Sequence, residues 1–157
     1  MAQTQRRSAY PVQLDPEPEG GFTVSFPDFV TPEQPGAGGY SYGRDREQAL
    51  IQAEDLLETI VANCMAEGWE IPEPGVARGR PLVPLAPLVA IKVELYRTMR
   101  AAGITEAELA QRMAIGLHDV RKLFDTNHMS RLDQLAAGFA GLGRRLVVTS
   151  EAALVDP

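Results

Sequence analysis

Two hydrophobic periods divide the chain. Before residue 43 the apolar positions fall in short runs with an alternating trend, in AYPVQL (9–14) and FTVSF (22–26). β-Branched and aromatic residues in that pattern predict two strands. The link between them, DPEPEGG, predicts a hairpin connection and an antiparallel pair. The next stretch, TPEQPGAGG, reads as a loop. Tyr40, Ser41 and Tyr42 then predict an edge strand that ends at Gly43.

From Arg44 the period lengthens. Ala49, Leu50, Ala53, Leu56, Leu57, Ile60, Val61 and Cys64 recur at three- and four-residue spacing, which predicts an amphipathic helix over 45–67. Asp45 suits its positive end and Gly68 its stop. Glu47, Glu54, Asp55 and Glu58 lie on the opposite face, and the apolar face needs the sheet as its partner. After the Pro/Gly-rich stretch 70–81, LVPL (82–85) predicts a short strand that Pro84 confines to an edge or a strand end.

The remainder reads as helical. A helix is predicted over 88–102 with a stripe through Leu88, Ile91, Leu95 and Met99, stopped by Gly103. Thr105 and Glu108 form a capping-box pattern ahead of a short helix at 106–113. Ala114-Ile115-Gly116 links it to another at 117–124. Ser130 and Asp133 look like the start of a helix to about 141 that buries Leu132, Leu135, Ala136 and Phe139. Arg145–Thr149 reads as a last strand. The expected fold is α+β. Residues 1–86 would form a β-β-β-α-β module, and residues 87–157 a helical module ending in a short strand.

Composition narrows the class. At 157 residues, 45% hydrophobic and 23% charged, the chain is one ordinary domain or two small ones. No apolar run approaches the roughly 18–20 residues of a membrane span. No apolar segment follows Arg6 and Arg7, so no leader and a cytoplasmic location are expected. Cys64 stands alone, which excludes an intrachain disulfide and a multi-cysteine metal site. The net charge of −6 is uneven: residues 1–80 carry six Lys+Arg against thirteen Asp+Glu, whereas 97–145 carry eight against five. An acidic front and a mildly basic back suggest two modules with different partners.

The helix–link–helix over 106–124 has the size of a helix-turn-helix. Ala110 lets the second helix approach, Ile115 plugs the corner, and Val120 and Leu123 lock the second helix down. Leu117, His118, Arg121 and Lys122 are left outside, where the basic pair suits phosphates or guanine edges, and Arg112 and Arg131 suit phosphates. Ala114 stands where such motifs usually place a left-handed glycine, and Gly116 where they usually place a Ser or Thr cap. A plain helical hairpin is the competing reading. His118 and His128 have no metal-ligand spacing with each other or with Cys64. Cys64 reads as core packing and Trp69 as a plug at the sheet edge. The carboxylates Asp15, Asp28, Asp45, Glu47, Glu54 and Asp55 carry no pattern that fixes them on one two-metal site. No phosphate loop, Ser-His-Asp set or dinucleotide fingerprint is present. No cofactor or metal is expected.

The run Tyr10-Pro-Val-x-Leu14, the stretch Pro18–Asp28 with Gly-Gly-Phe-x-Val-x-Phe-Pro-Asp, the helix Gln48–Glu67 and Ile71-Pro-x-Pro74 together resemble the HicB antitoxins. The helix-turn-helix over 105–124 is similar to that of the family's longer members. The resemblance implies a degraded RNase H-like N-terminal module without a catalytic carboxylate set. That module would cover the active site of a small basic HicA-like toxin, an mRNA ribonuclease. The C-terminal module would bind double-stranded operator DNA as a homodimer or tetramer. The segment 29–43 is longer than is usual in the family. On this reading Asp28, Phe29, Tyr40 and Tyr42 face the toxin, with no catalysis by the chain itself. Two alternatives remain: a free-standing transcription regulator whose N-terminal module senses a ligand, and a metal-dependent nuclease.

Overall fold

The computed structural model describes residues 8–153. The leader reading on Arg6 and Arg7 falls outside the described residues. The fold is mixed, with small antiparallel sheets followed by helices.

The expected first strand is two strands, β1 (Ala9–Pro11) and β2 (Gln13–Pro16). β2 pairs with β3 (Phe22–Ser25), Gln13 opposite Ser25 and Asp15 opposite Thr23. Continuing that register would set Pro11 against Pro27, and neither has an N–H to donate, so the ladder stops there. β1 instead pairs antiparallel with β5 (Leu82–Pro84), and Val12 donates its N–H to Pro81 O at 3.0 Å. The hairpin connection is shorter than expected, because Asp15 and Pro16 belong to the strand. It closes with the Glu17 N–H on Gly21 O and the Gly20 N–H on Glu17 O, both 3.0 Å.

Pro27–Phe29 forms a single 3₁₀ turn. β4 (Tyr40–Gly43) then joins β3 at the sheet edge. Strand alternation sorts the side chains into rows. Leu14, Val24 and Ser41 line the inner face, which α1 (Arg46–Glu67) covers. The Asp45 carboxylate caps α1 by accepting the Gln48 N–H at 2.8 Å, and Gly68 ends it with φ +72°. α1 lies so close to β4 that a Cβ at Gly43 would run into the Ala49 backbone.

α2 (Pro87–Ala101) starts on Pro87, which suits a first-turn position. Its buried face runs through Val89, Lys92, Val93, Leu95, Tyr96 and Met99. The expected stripe therefore holds only at Leu95 and Met99; Leu88 and Ile91 are half-buried. Two neighbours claim the helix, so its buried sector is wider than one apolar stripe. α3 (Glu106–Met113), capped by the Thr105 hydroxyl, follows as expected, and α4 (Leu117–Lys122) starts where expected but ends two residues before 124. Ala114 between them is left-handed, φ 55° and ψ 42°, a strain of roughly 1 kcal/mol for a residue with a Cβ.

The N-cap of α5 (Leu132–Gly141) is Arg131, not Ser130. Ser130 is buried, and its Oγ donates to Lys122 O at 3.3 Å. The buried face of α5 is Leu135, Gly138 and Phe139, whereas Leu132 is exposed and Ala136 half-buried. The last strand expected at 145–149 does not form. Val147 and Val148 are exposed, and the segment pairs with no strand among the described residues. One apolar cluster runs from Tyr10, Phe26 and Leu57 through Leu95 to Leu109, Leu135 and Phe139.

Candidate functional site

Two surfaces collect most of the residues singled out in the sequence. The first is the outer face of the β2–β3–β4 sheet. Register places Gln13, Ser25 and Tyr40 in one row and Asp15, Thr23 and Tyr42 in the next. Tyr40 is 75% exposed and Tyr42 52%. The Tyr42 hydroxyl donates to Gly20 O at 3.0 Å, which fixes its ring over the hairpin turn. Thr23 Oγ1 donates to the Glu17 carboxylate, and Gln13 Nε2 to Asp15 Oδ1 at 2.8 Å. The face is therefore polar, aromatic and acidic. Asp15 and Glu17 belong to it, although the sequence reading did not place them there. The two-residue alternation in QLDP, FTVS and YSYG was the signal that could have found Asp15.

Asp28 and Phe29 do not join that row. Phe29 is 1% exposed and packs on Tyr10 with ring centroids 4.8 Å apart, so its side chain is core and offers no contact surface. Asp28 is half-buried, and its Oδ2 accepts the Gly75 N–H at 2.9 Å, tying the 3₁₀ turn to the strap over 68–76. α2 holds the other end of that strap. Arg97 donates to Ile71 O at 3.3 Å, Pro72 O at 2.7 Å and the Tyr10 hydroxyl. Arg100 donates to Gly68 O at 2.6 Å, and the Tyr96 hydroxyl to Trp69 O at 2.5 Å. Burial pushes the Tyr10 phenol above its usual range against the pull of Arg97. It also raises the Cys64 thiol to about 11, which makes that cysteine an inert core group at neutral pH.

The second surface is the α3–turn–α4 unit. His118 and Arg121 are exposed on α4, and Leu117 and Lys122 are half-buried. Arg121 Nε lies 3.2 Å from Glu106 Oε2, and Lys122 Nζ lies 3.5 Å from Asp119 Oδ1. These are exposed pairs worth little, so both cations remain available to another anion. Arg112 donates to Gly141 O at 3.2 Å, and Arg131 pairs with Asp133 at 3.3 Å. The sequence reading missed Lys92 of α2. It is fully buried, and its ammonium reaches the chain that follows α4. Burial pulls it below the usual lysine range, with the Asp125 carboxylate opposing. A lysine at a buried helical position, five residues past Pro87, was its only mark in the sequence.

No group of three or more His, Cys, Asp or Glu able to hold a metal occurs among the described residues. No helix among them is long and apolar enough to cross a membrane.

A family model described as HicB_like antitoxin of bacterial toxin-antitoxin system matches residues 9–94. Antitoxin HicB 1 of Photorhabdus laumondii is 34% identical over 142 residues, spanning 90% of this chain and 86% of that protein. Antitoxin HicB of Escherichia coli K12 is 32% identical over 138 residues, spanning 87% and 95%. A second Photorhabdus laumondii protein, Antitoxin HicB 2, is 31% identical over 137 residues. The matched region takes in both sheets, α1 and the strap, and the relatives extend along most of the helical half as well; the chain belongs to the HicB-like antitoxin family.

Proposed function

We propose that the chain neutralises a HicA-like, mRNA-cleaving toxin by binding it stoichiometrically and covering its active site, with no catalysis of its own. Residues 1–86 form the toxin-binding module, a degraded RNase H-like fold. Residues 87–157 form a helix-turn-helix module that represses the operon from a homodimer or tetramer in the cytoplasm. The observation that carries the toxin-binding part is the uncovered sheet face with Tyr40 and Tyr42 beside Asp15 and Glu17. A basic ribonuclease site is complementary to an acidic, aromatic face on the more acidic half of the chain.

Co-expression with the small basic protein encoded beside it tests this. The expected result is restored growth and one co-purifying complex. Failure of both, with each chain soluble, transfers the reading to a free-standing regulator whose N-terminal module senses a ligand.

The DNA-binding part rests on α4. Leu117, His118, Arg121 and Lys122 point to base edges and phosphates, and Arg112 and Arg131 flank them as phosphate contacts. Replacing Arg121 and Lys122 together by alanine lowers operator affinity about tenfold or more at fixed salt and reduces the salt slope by about 2 for each DNA-bound protomer, about 4 for a homodimer. A gel-shift titration at several salt concentrations checks both numbers, and an unchanged affinity removes α4 from the interface.

A further inference from the structure

We infer that Lys92 is the positioning residue of the operator-binding helix: its buried ammonium clamps the end of α4 and the following turn onto α2. This rests on the reading of α4 as the DNA-reading helix. Lys92 is 0% exposed, and its Nζ donates to Lys122 O at 3.0 Å, Asp125 O at 2.6 Å and His128 O at 2.8 Å. An ammonium has three protons to donate, and all three are used. The carbonyls sit where the negative end of α4 points, so a cation suits the place.

The turn does not need Lys92 for its own hydrogen bonds. Lys122 O also accepts from the Asp125 N–H at 3.3 Å, Asp125 O from the His128 N–H at 3.1 Å, and His128 O from the Ser130 N–H at 2.9 Å. Ser130 Oγ adds a bond to Lys122 O and shares another with His128 Nδ1 at 2.9 Å. The segment 122–130 is thus a closed turn with its own backbone bonds. What Lys92 adds is a tether from that turn to a separate helix. α2 is itself packed into the core through Val89, Val93, Leu95 and Met99 and bonded to the strap through Tyr96, Arg97 and Arg100, so the tether runs to a well-anchored helix. Val120, Leu123 and Phe124 pack the apolar side of this six-residue helix and its end into the core, and Lys92 adds the polar tether that fixes its C-terminal end. Sequence readout depends on the angle of α4 far more than phosphate attraction does.

The test is Lys92→Met in the full chain, which keeps an unbranched apolar stem out to the Cε position and removes the charge and the donors. The expected result is an operator affinity lower by about tenfold or more, the cost of a misplaced base contact. Affinity for random DNA changes less than about twofold, because phosphate attraction tolerates a tilted helix. Co-purification with the toxin is unchanged, and amide exchange quickens over 122–130 but not in α1.

An operator affinity equal to that of the parent chain overturns the inference. So does an equal loss on operator and random DNA, since a merely structural lysine would weaken both alike. If Lys92→Met does not fold, Lys92→Gln, which is shorter and offers two N–H donors to three carbonyls, is read instead: a loss of about fivefold confined to the operator is expected, and parental affinity overturns the inference. The Arg121→Ala, Lys122→Ala double variant runs alongside. If it too leaves operator binding unchanged, the DNA-binding reading of α4 fails. If it abolishes binding while Lys92→Met does not, only the Lys92 inference fails.

Discussion

Replacing Tyr40 and Tyr42 together by alanine weakens toxin binding by about 700-fold while the antitoxin stays folded. Two aromatic anchors buried in an interface contribute about 2 kcal/mol or more each when truncated, and each 1.4 kcal/mol is tenfold. In the free chain Tyr40 is 75% exposed and covers no core, so its removal is close to neutral for stability. Tyr42 gives up one exposed hydrogen bond to Gly20 O, and its cost to the fold is correspondingly small, about 1 kcal/mol. Calorimetric titration of toxin into the double variant, beside a thermal melt of the variant alone, separates binding from stability. Unchanged affinity would move the interface off this face altogether. Phe29→Ala gives the contrasting outcome. Phe29 is core against Tyr10, so its loss lowers the melting temperature before it says anything about the partner.

The elements were legible where period and punctuation agreed. Asp45 and Gly68 bracket α1, and Thr105 starts α3 as its hydroxyl chemistry requires. Ala114 was legible from its position alone: the turn needs a left-handed residue there whether or not glycine supplies it. The errors came where a decision rested on a distant partner. Pro11 reads as part of one strand until the register of β2 and β3 sets it against Pro27. Arg145–Thr149 has strand composition, but a strand is a property of a pair, and the segment pairs with no strand among the described residues. Ser130 resembles a helix cap and is instead a buried hydroxyl on the end of the preceding helix.

The same distinction runs through the candidate surfaces. Tyr40 and Tyr42 were legible because strand alternation alone puts them side by side. Phe29 was misassigned because nothing local reveals that the 3₁₀ turn swings it under Tyr10. Lys92 was invisible because a lysine on a helix is ordinarily a solvated one. Its role exists only through three carbonyls from a segment 30 or more residues away in sequence.

Leu95→Ala is expected to destabilise the whole chain by about 2–5 kcal/mol, a large part of the roughly 5–15 kcal/mol that a domain has to lose. Leu95 is fully buried on α2. A Cβ on Gly138 of α5 would stand only 3.1 and 3.3 Å from its two methyls, so the leucine fills the notch that the glycine leaves. Alanine there opens a cavity that two helices fixed at other points cannot collapse to close. The affected core is the one that continues from the sheet through α2 to Leu109 and Leu135, so damage at Leu95 is not confined to the helical half. Trp69, the single tryptophan, lies on the strap that Tyr96 of the same helix holds. Its fluorescence should therefore lose its folded signal at the same denaturant concentration as the helical circular dichroism, in the parent chain and in the variant alike. Both midpoints should move down together. A variant whose dichroism transition drops while the Trp69 transition stays in place would mean that the two halves unfold independently and that α2 transmits no stability between them.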